Sequence, residues 1–327
     1  MNICVTGAAG FVGRAAVDAA LAHGHQPVAV VRRTPEHGFP TGVEVRAVGD
    51  LIDAGARAAA VKGCEAVVHL AARVRVEKGE RAREAELMRR DNALLTGDLA
   101  EAAAAAGSRR FVFLSSLKVY GSTTPKGATL TDASPTAPHG PYGESKLEAE
   151  RRLAEVAART GMSAISLRPP AVFGPGQSAS QLRLLMRAVQ RGVPLPLGGV
   201  RNRRSFVYSG NLADALVAAC ESDATGAFVL TDSDPISSAG LAAAVAHAVG
   251  LKARLLPTPA GLARLGAKLI GKGEMGDSLY GSMAADGRGF GEATGWRPAV
   301  DRTEAMALTV ADLDRAQKGL SPSQQRR

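Results

Sequence analysis

The 327-residue sequence predicts an α/β fold, a doubly wound parallel sheet followed by a smaller C-terminal region. Three observations carry that expectation. From Met1 to about Thr160, short β-branched runs alternate with longer alanine-rich stretches of helical spacing, the pattern of repeated βαβ units. Runs such as Ala66-Val67-Val68-His69-Leu70 are apolar almost without interruption, as strands covered by helices on both faces are. After Arg168-Pro169-Pro170 the texture changes to segments punctuated by proline and glycine, including Gly174-Pro175-Gly176 and Val193-Pro194-Leu195-Pro196-Leu197-Gly198-Gly199. A chain of this length exceeds the usual size of one core.

The first expected strand, Asn2–Thr6, runs into Thr6-Gly7-Ala8-Ala9-Gly10-Phe11-Val12-Gly13 and an apolar helix reaching about His23. In such a turn Gly7 permits the tight reversal, Gly10 lets the backbone approach a diphosphate, and Gly13 lets helix and strand pack closely. The amides at the helix start, around Phe11 and Val12, are then free to hold phosphate, so this spacing marks a Rossmann-type dinucleotide site. The second strand, Pro27–Val31, is followed by Arg32-Arg33, where NAD-specific folds generally carry an acid for the adenosine ribose. Two arginines there favour a 2′-phosphate, and hence NADP(H) over NAD(H); the alternative is a pair of solvated loop arginines. The third strand, Val43–Val45, leads to Asp50-Leu51, which suits either the adenine edge or the start of a helix. Strands four, five and six are expected at Ala66–Leu70, Arg110–Leu114 and Ser163–Leu167.

Later helices are expected at Gln181–Arg191, Asn211–Cys220, Ser238–Val249 and Arg302–Arg315. Residues 1–168 then form the cofactor-binding domain, to which about 203–232 return. Residues 169–315 build mainly the substrate-binding region, and 316–327 read as a flexible polar tail.

Composition limits the alternatives. With 46% hydrophobic and 22% charged residues the chain is expected to fold, and no apolar run is long enough for membrane insertion. A start on strand-like Met1-Asn2-Ile3-Cys4-Val5 suggests a cytoplasmic protein. Cys4, Cys64 and Cys220 are odd in number, far apart and without metal-ligand spacing, which argues for buried thiols and against a disulfide framework or a metal site. A net charge of +9 accompanies scattered arginines and only 4% aromatic residues, a poor platform for nucleic acid. The positive field suits phosphate-bearing ligands.

Tyr142-Gly143-Glu144-Ser145-Lys146 heads a helix, and four-residue spacing puts Tyr142 and Lys146 on one face. A phenol is a poor base at neutral pH; lowering its pKa by about three units requires roughly 4 kcal/mol of preferential phenolate stabilisation, to which a neighbouring lysine cation contributes. In isolation the pair reads as an ordinary surface contact. About 26 residues upstream, however, Phe111-Val112-Phe113-Leu114-Ser115-Ser116-Leu117-Lys118-Val119-Tyr120-Gly121 forms a strand ending in hydroxyls.

Together with His69-Leu70-Ala71-Ala72, Asn92, Arg168-Pro169-Pro170-Ala171-Val172-Phe173-Gly174-Pro175-Gly176 and Gly295-Trp296-Arg297-Pro298, these motifs span nearly the whole chain. They resemble the extended short-chain dehydrogenase/reductase superfamily in its nucleotide-sugar epimerase/dehydratase branch. The resemblance implies that Tyr142 is the acid/base, Lys146 the ribose anchor that tunes it, and Ser116, in preference to Ser115, the hydroxyl that meets the sugar oxygen. It also implies that Leu70, Ala71, Ala72, Asn92 and Pro169 border the cofactor together with Tyr142 and Lys146. Leu195 and Leu197 would meet the nucleobase, and Arg204, with Arg203 as its alternative, would clamp the diphosphate of a UDP-linked sugar. Ala171 stands where the family places an asparagine, and no arginine lies between Lys272 and Asp286, where a second clamp is often found.

Sugar dehydratases of the branch carry an acidic pair after the catalytic hydroxyl; here those positions are Leu117 and Lys118. The resemblance therefore implies hydride transfer at sugar C4, by a UDP-hexose or UDP-HexNAc 4-epimerase or by a UDP-4-keto-6-deoxy-HexNAc 4-reductase of surface-polysaccharide biosynthesis. A non-catalytic NADP(H)-sensing Rossmann protein is the alternative of another class. The family tendency to dimerise would use helix faces around Asp91–Ala106 and Glu148–Arg159.

Overall fold

The computed structural model describes residues 1–74, 80, 83–177, 181–259, 261 and 273–317. The first half runs β1 (Asn2–Thr6), α1 (Phe11–Ala22), β2 (Gln26–Val31), β3 (Glu44–Ala47), α2 (Ala54–Val61), β4 (Ala66–His69), α3 (Glu84–Met88), a π-helical stretch (Arg89–Leu94), α4 (Leu95–Ala105), β5 (Arg110–Leu114), a 3-10 turn (Leu117–Tyr120), α5 (Pro141–Thr160) and β6 (Ser163–Arg168). It continues through β7 (Ala171–Phe173), α6 (Gln181–Gln190), β8 (Leu195–Gly198), β9 (Phe206–Tyr208), α7 (Ser209–Glu221), β10 (Gly226–Val229), α8 (Ser238–Ala248) and β11 (Leu255–Pro257). Helices Gly273–Tyr280, Arg288–Thr294 and Arg302–Gln317 follow.

Seven parallel strands form the main sheet in the order β10-β6-β5-β4-β1-β2-β3, the doubly wound Rossmann-type arrangement. Both faces are covered, which is why its central strands lack polar alternation. Ile3, Val5, Val68 and Val112 point into a core shared with α1 and α7, while Cys4, Val67, Phe111 and Phe113 point into one shared with α2, α4 and α5. The expected strand Val43–Val45 lies instead at Glu44–Ala47: as the sheet's edge it is mostly exposed and lacked a continuous apolar run to reveal its limits.

The chain returns to this sheet late. Helix α7 lies along α1, and β10 pairs with β6 from Gly226↔Ile165 to Val229↔Arg168. The C-terminal region has its own core, around Phe173, Met186, Tyr208, Val245, Met306 and Leu313. Of the expected tail 316–327, Ala316 and Gln317 end the last helix, and the remainder lies outside the described residues. All three cysteines are free and buried. Among the described residues no helix is long and apolar enough to cross a membrane, and no group of His, Cys, Asp and Glu could hold a metal ion.

Candidate active site

Strand β1 ends at Thr6 and the chain turns at Gly7, with φ 69°. A Cβ at Gly7 would stand 2.8 Å from the Ala71 amide nitrogen, so glycine allows this turn to lie against the segment leaving β4. At Gly13 a Cβ would fall 2.1 Å from the Gly7 carbonyl oxygen and 2.7 Å from Ala8 Cα, closer than any side chain permits. Gly10 precedes α1 without a side-chain cap, and the first turn carries no acid. The amides of Phe11, Val12 and Gly13 therefore open α1 beside the crevice between β1 and β4, where the strand order reverses. These features fit the diphosphate of a dinucleotide, since free N–H groups and an uncompensated helix dipole favour an anion.

Thr6 and His69 tie this floor together. Thr6 Oγ1 accepts from the amides of Leu70 and Ala71 at 3.3 Å each, so its own proton points to His69 Nδ1, 2.7 Å away. The imidazole then carries its proton on Nε2. Burial, assisted by the nearby Lys146 charge, pushes its pKa down to about 3, so it is neutral. The ring stacks on Phe113 at 5.8 Å between centroids.

At the far side of the crevice Arg32 and Arg33 are exposed, and Arg32 lies 3.8 Å from Asp50 in a loose, solvated pair. Asp50 accepts from the Ile52 amide in a turn; it is Asp53 that caps α2, through Ala56 N at 2.9 Å. The Leu51 side chain packs into the core. Arg14, unmarked in the sequence, donates to the carbonyls of His37 and Gly38 and covers the Phe39 ring at 5.1 Å, holding the loop after β2 onto α1.

The reactive side is built by α5 and the end of β5. A Cβ on Gly143 would lie 2.5 Å from the Lys118 carbonyl oxygen, and this close approach seats the head of α5 on the 3-10 turn. It brings Tyr142 beside Ser116, whose hydroxyl pulls the phenol pKa down while burial, the larger effect, pushes it up to about 12. Lys146 is 3% exposed; its Nζ donates to Leu114 O at 2.9 Å and sits 4.6 Å from the Phe113 centroid and 5.9 Å from that of Tyr142. Burial brings Lys146 down to about 7, against an upward pull from Glu150.

The adjacent serines divide their work. Ser115 donates to Glu150, which is buried with Arg168, whereas Ser116 caps the 3-10 turn and remains beside Tyr142. Asn92, expected at the cofactor, is 1% exposed within the π-helical stretch, with its amide engaged by the protein. Its Oδ1 accepts from Arg73 N, and its Nδ2 donates to Arg73 O and Ser145 Oγ; Ser145 in turn donates to the Tyr142 carbonyl. Asn92 thus links the segment after β4 to the head of α5. Pro169 is buried, and its carbonyl accepts from Leu117 N at 2.9 Å.

The residues expected to meet the substrate belong to the C-terminal region. Leu197 is buried in the C-terminal region and Leu195 packs against the same cluster, so a ligand along β8 would meet backbone more than these side chains. Arg204 is partly buried, and its Nη1 donates to the carbonyls of Asp277 and Gly281 at 3.3 and 3.2 Å; Arg203 is exposed. Among the described residues no hydrogen bond joins Arg204 to Tyr142, Lys146 or Ser116. The Gly174–Gly176 loop reaches back, with the Cβ direction of Gly176 3.9 Å from the Phe11 ring.

A family model described as the NAD dependent epimerase/dehydratase family matches residues 3–230. The chain is 35% identical over 253 residues to a UDP-glucose 4-epimerase of Vibrio cholerae, covering 76% of this chain and 77% of that one. It is 33% identical over 261 residues to a ceramide reductase of Caulobacter vibrioides, covering 79% and 73% respectively. The structure superposes on Thermus thermophilus UDP-glucose 4-epimerase in complex with NAD with a TM-score of 0.78 and 26% identity, over 97% of this chain and all of that one.

Proposed function

Because the chain belongs to the NAD-dependent epimerase/dehydratase family, enzymes of the extended short-chain dehydrogenase/reductase type, we propose that it is a UDP-hexose or UDP-HexNAc 4-epimerase acting by hydride transfer at sugar C4. The observation that carries this reading is the meeting of Tyr142, Ser116 and buried Lys146 beside a phosphate-binding glycine turn. The UDP-glucose 4-epimerase relatives support both nucleotide and reaction.

When bound, the dinucleotide supplies the acceptor and then the donor of the hydride. Ser116 holds the 4-oxygen of the sugar while Tyr142 takes its proton and later returns it. With its phenol at about 12, Tyr142 is uncharged in the protein alone. Bringing that pKa to 7 takes roughly 7 kcal/mol of phenolate stabilisation at 1.36 kcal/mol per unit, and the Lys146 ammonium supplies part of it. One Lys146 N–H is engaged by Leu114 O, which leaves two for the ribose hydroxyls. Leu117 and Lys118 occupy the positions after Ser116, so no acid stands there for dehydration. Epimerisation further requires that the 4-ketosugar turn over before the hydride returns.

A second reading, NADPH-dependent 4-ketosugar reduction, is favoured by one observation: Arg32 and Arg33 are exposed where a 2′-phosphate would meet them. The sensing alternative has no comparable support, since the Tyr142–Lys146 pair is intact. The experiment is incubation with UDP-glucose and UDP-GlcNAc without added cofactor, and separately with a UDP-4-keto-6-deoxy-HexNAc plus NADPH. Isomerisation with NAD released on denaturation identifies the epimerase, stoichiometric NADPH loss the reductase. Inactivity in both arms overturns the nucleotide-sugar assignment.

A further inference from the structure

We propose that Glu150 is a positioning residue for the proton-transfer pair: the counter-charge that keeps the buried Lys146 ammonium charged and aimed at Tyr142. The inference rests on the reading of Tyr142 as the proton-transfer residue.

Tyr142, Lys146 and Glu150 lie at successive four-residue steps of α5, one above the other on a single face. Lys146 is 3% exposed, and its Nζ meets the Leu114 carbonyl and the rings of Phe113 and Tyr142. A buried ammonium so placed loses its hydration without a carboxylate in contact, an arrangement that favours the neutral amine. The titratable groups about it are Tyr142 and Glu150 on its own helix and neutral His69 on β4, with Arg168 on β6 joined to it through Glu150. Of these, Glu150 is the one whose charge opposes the loss of the lysine proton. The remaining α5 pairs, Glu148 with Arg89 and Arg152, and Arg159 with Glu101, are solvated.

The carboxylate is held more firmly than ion pairing alone requires. Ser115 Oγ and Arg168 Nε both donate to Oε1, and Arg168 Nη2 donates to Oε2 at 2.6 Å. Arg168 Nη1 donates to the Tyr120 hydroxyl at 2.6 Å, and that hydroxyl donates to the Thr131 carbonyl. This chain fixes the negative charge one helical turn below Lys146.

The test compares Glu150→Gln with Glu150→Gln/Arg168→Met, which also removes the cation that the first substitution strands. Phenol ionisation at Tyr142 is read as the ultraviolet difference between each protein and its Tyr142→Phe counterpart, with NAD or NADP bound and no sugar present. Glu150→Gln is expected to move that ionisation at least one pH unit upward and to lower kcat at pH 7 at least tenfold, with KM changed less than threefold. The double variant is expected to recover the parent's melting temperature while keeping the shifted ionisation. Return of the parent ionisation in the double variant would show that Glu150 serves only to pair Arg168, and would overturn the proposal. If Glu150→Gln does not fold, the double variant alone decides. Full turnover by Tyr142→Phe would defeat the underlying reading instead, and the titration distinguishes the two failures.

Discussion

At the scale of single residues, the neighbouring serines give the sharpest contrast. Ser116→Ala removes the hydroxyl beside Tyr142 and is expected to lower kcat about 10–100-fold, with a stability cost of about 1 kcal/mol or less from the lost cap of the 3-10 turn. Ser115→Ala removes a donor to buried Glu150, which costs about 1–2 kcal/mol of stability, with a smaller effect on kcat. Steady-state kinetics and denaturant unfolding separate them; equal kinetic losses would contradict the division. Tyr142→Phe is expected to lower kcat about 10²–10⁴-fold, the usual worth of a general acid/base, with cofactor affinity retained. Replacing Arg32 and Arg33 together by alanine is expected to raise KM for NADP(H) about tenfold or more and to leave that for NAD(H) nearly unchanged; equal changes would remove the 2′-phosphate reading. The tyrosine, lysine and serine were legible because their spacing and order are local. Glu150 and Arg168 were not, because two charged residues 18 positions apart give no hint that both are buried and paired until β6 is laid beside α5.

At the scale of elements, the turn from β1 to α1 tolerates least. A methyl group at Gly13 would meet backbone atoms of Gly7 and Ala8, which cannot move aside as a flexible side chain could. Gly13→Ala is expected to lower the melting temperature by several degrees and to raise cofactor KD more than tenfold by isothermal titration; unchanged binding would mean that α1 does not seat the phosphates. Strands β1 and β5 were readable to the residue because both faces are buried, whereas edge strand β3 was misplaced because exposure removes the apolar signal. The π-helical stretch was invisible in the sequence, and with it the bonds by which the Asn92 side chain joins backbone and side-chain partners supplied by two distant segments.

At the scale of the whole molecule, the buried basic groups give stability a pH dependence. His69 has a folded pKa of about 3, well below its ordinary value near 6.5, so the unfolded chain takes up a proton that the folded one refuses. Stability is therefore lost as pH falls from about 6.5 towards 3, by roughly 3–5 kcal/mol if the whole range is traversed. Lys146, at about 7 in the fold, adds a cost that is complete below 7 and relieved as pH rises towards 10.5. The midpoint of urea unfolding is thus expected to be lower at pH 5 than at pH 8, and His69→Gln to flatten the acid side; a flat profile in the unsubstituted protein would refute this. The doubly wound parallel sheet followed from the βαβ rhythm, but the placement of the residues proposed to meet nucleobase and diphosphate did not, because Leu195, Leu197 and Arg204 belong to a region whose short strands carry little periodic pattern. The late return of α7 and β10 to the first sheet bears also on how the protein is made. A nascent chain that has emerged only to Arg168 has β6 as an unpaired edge and α1 without the helix that covers it, so the nucleotide half must wait on the ribosome for residues beyond Val229 before it closes.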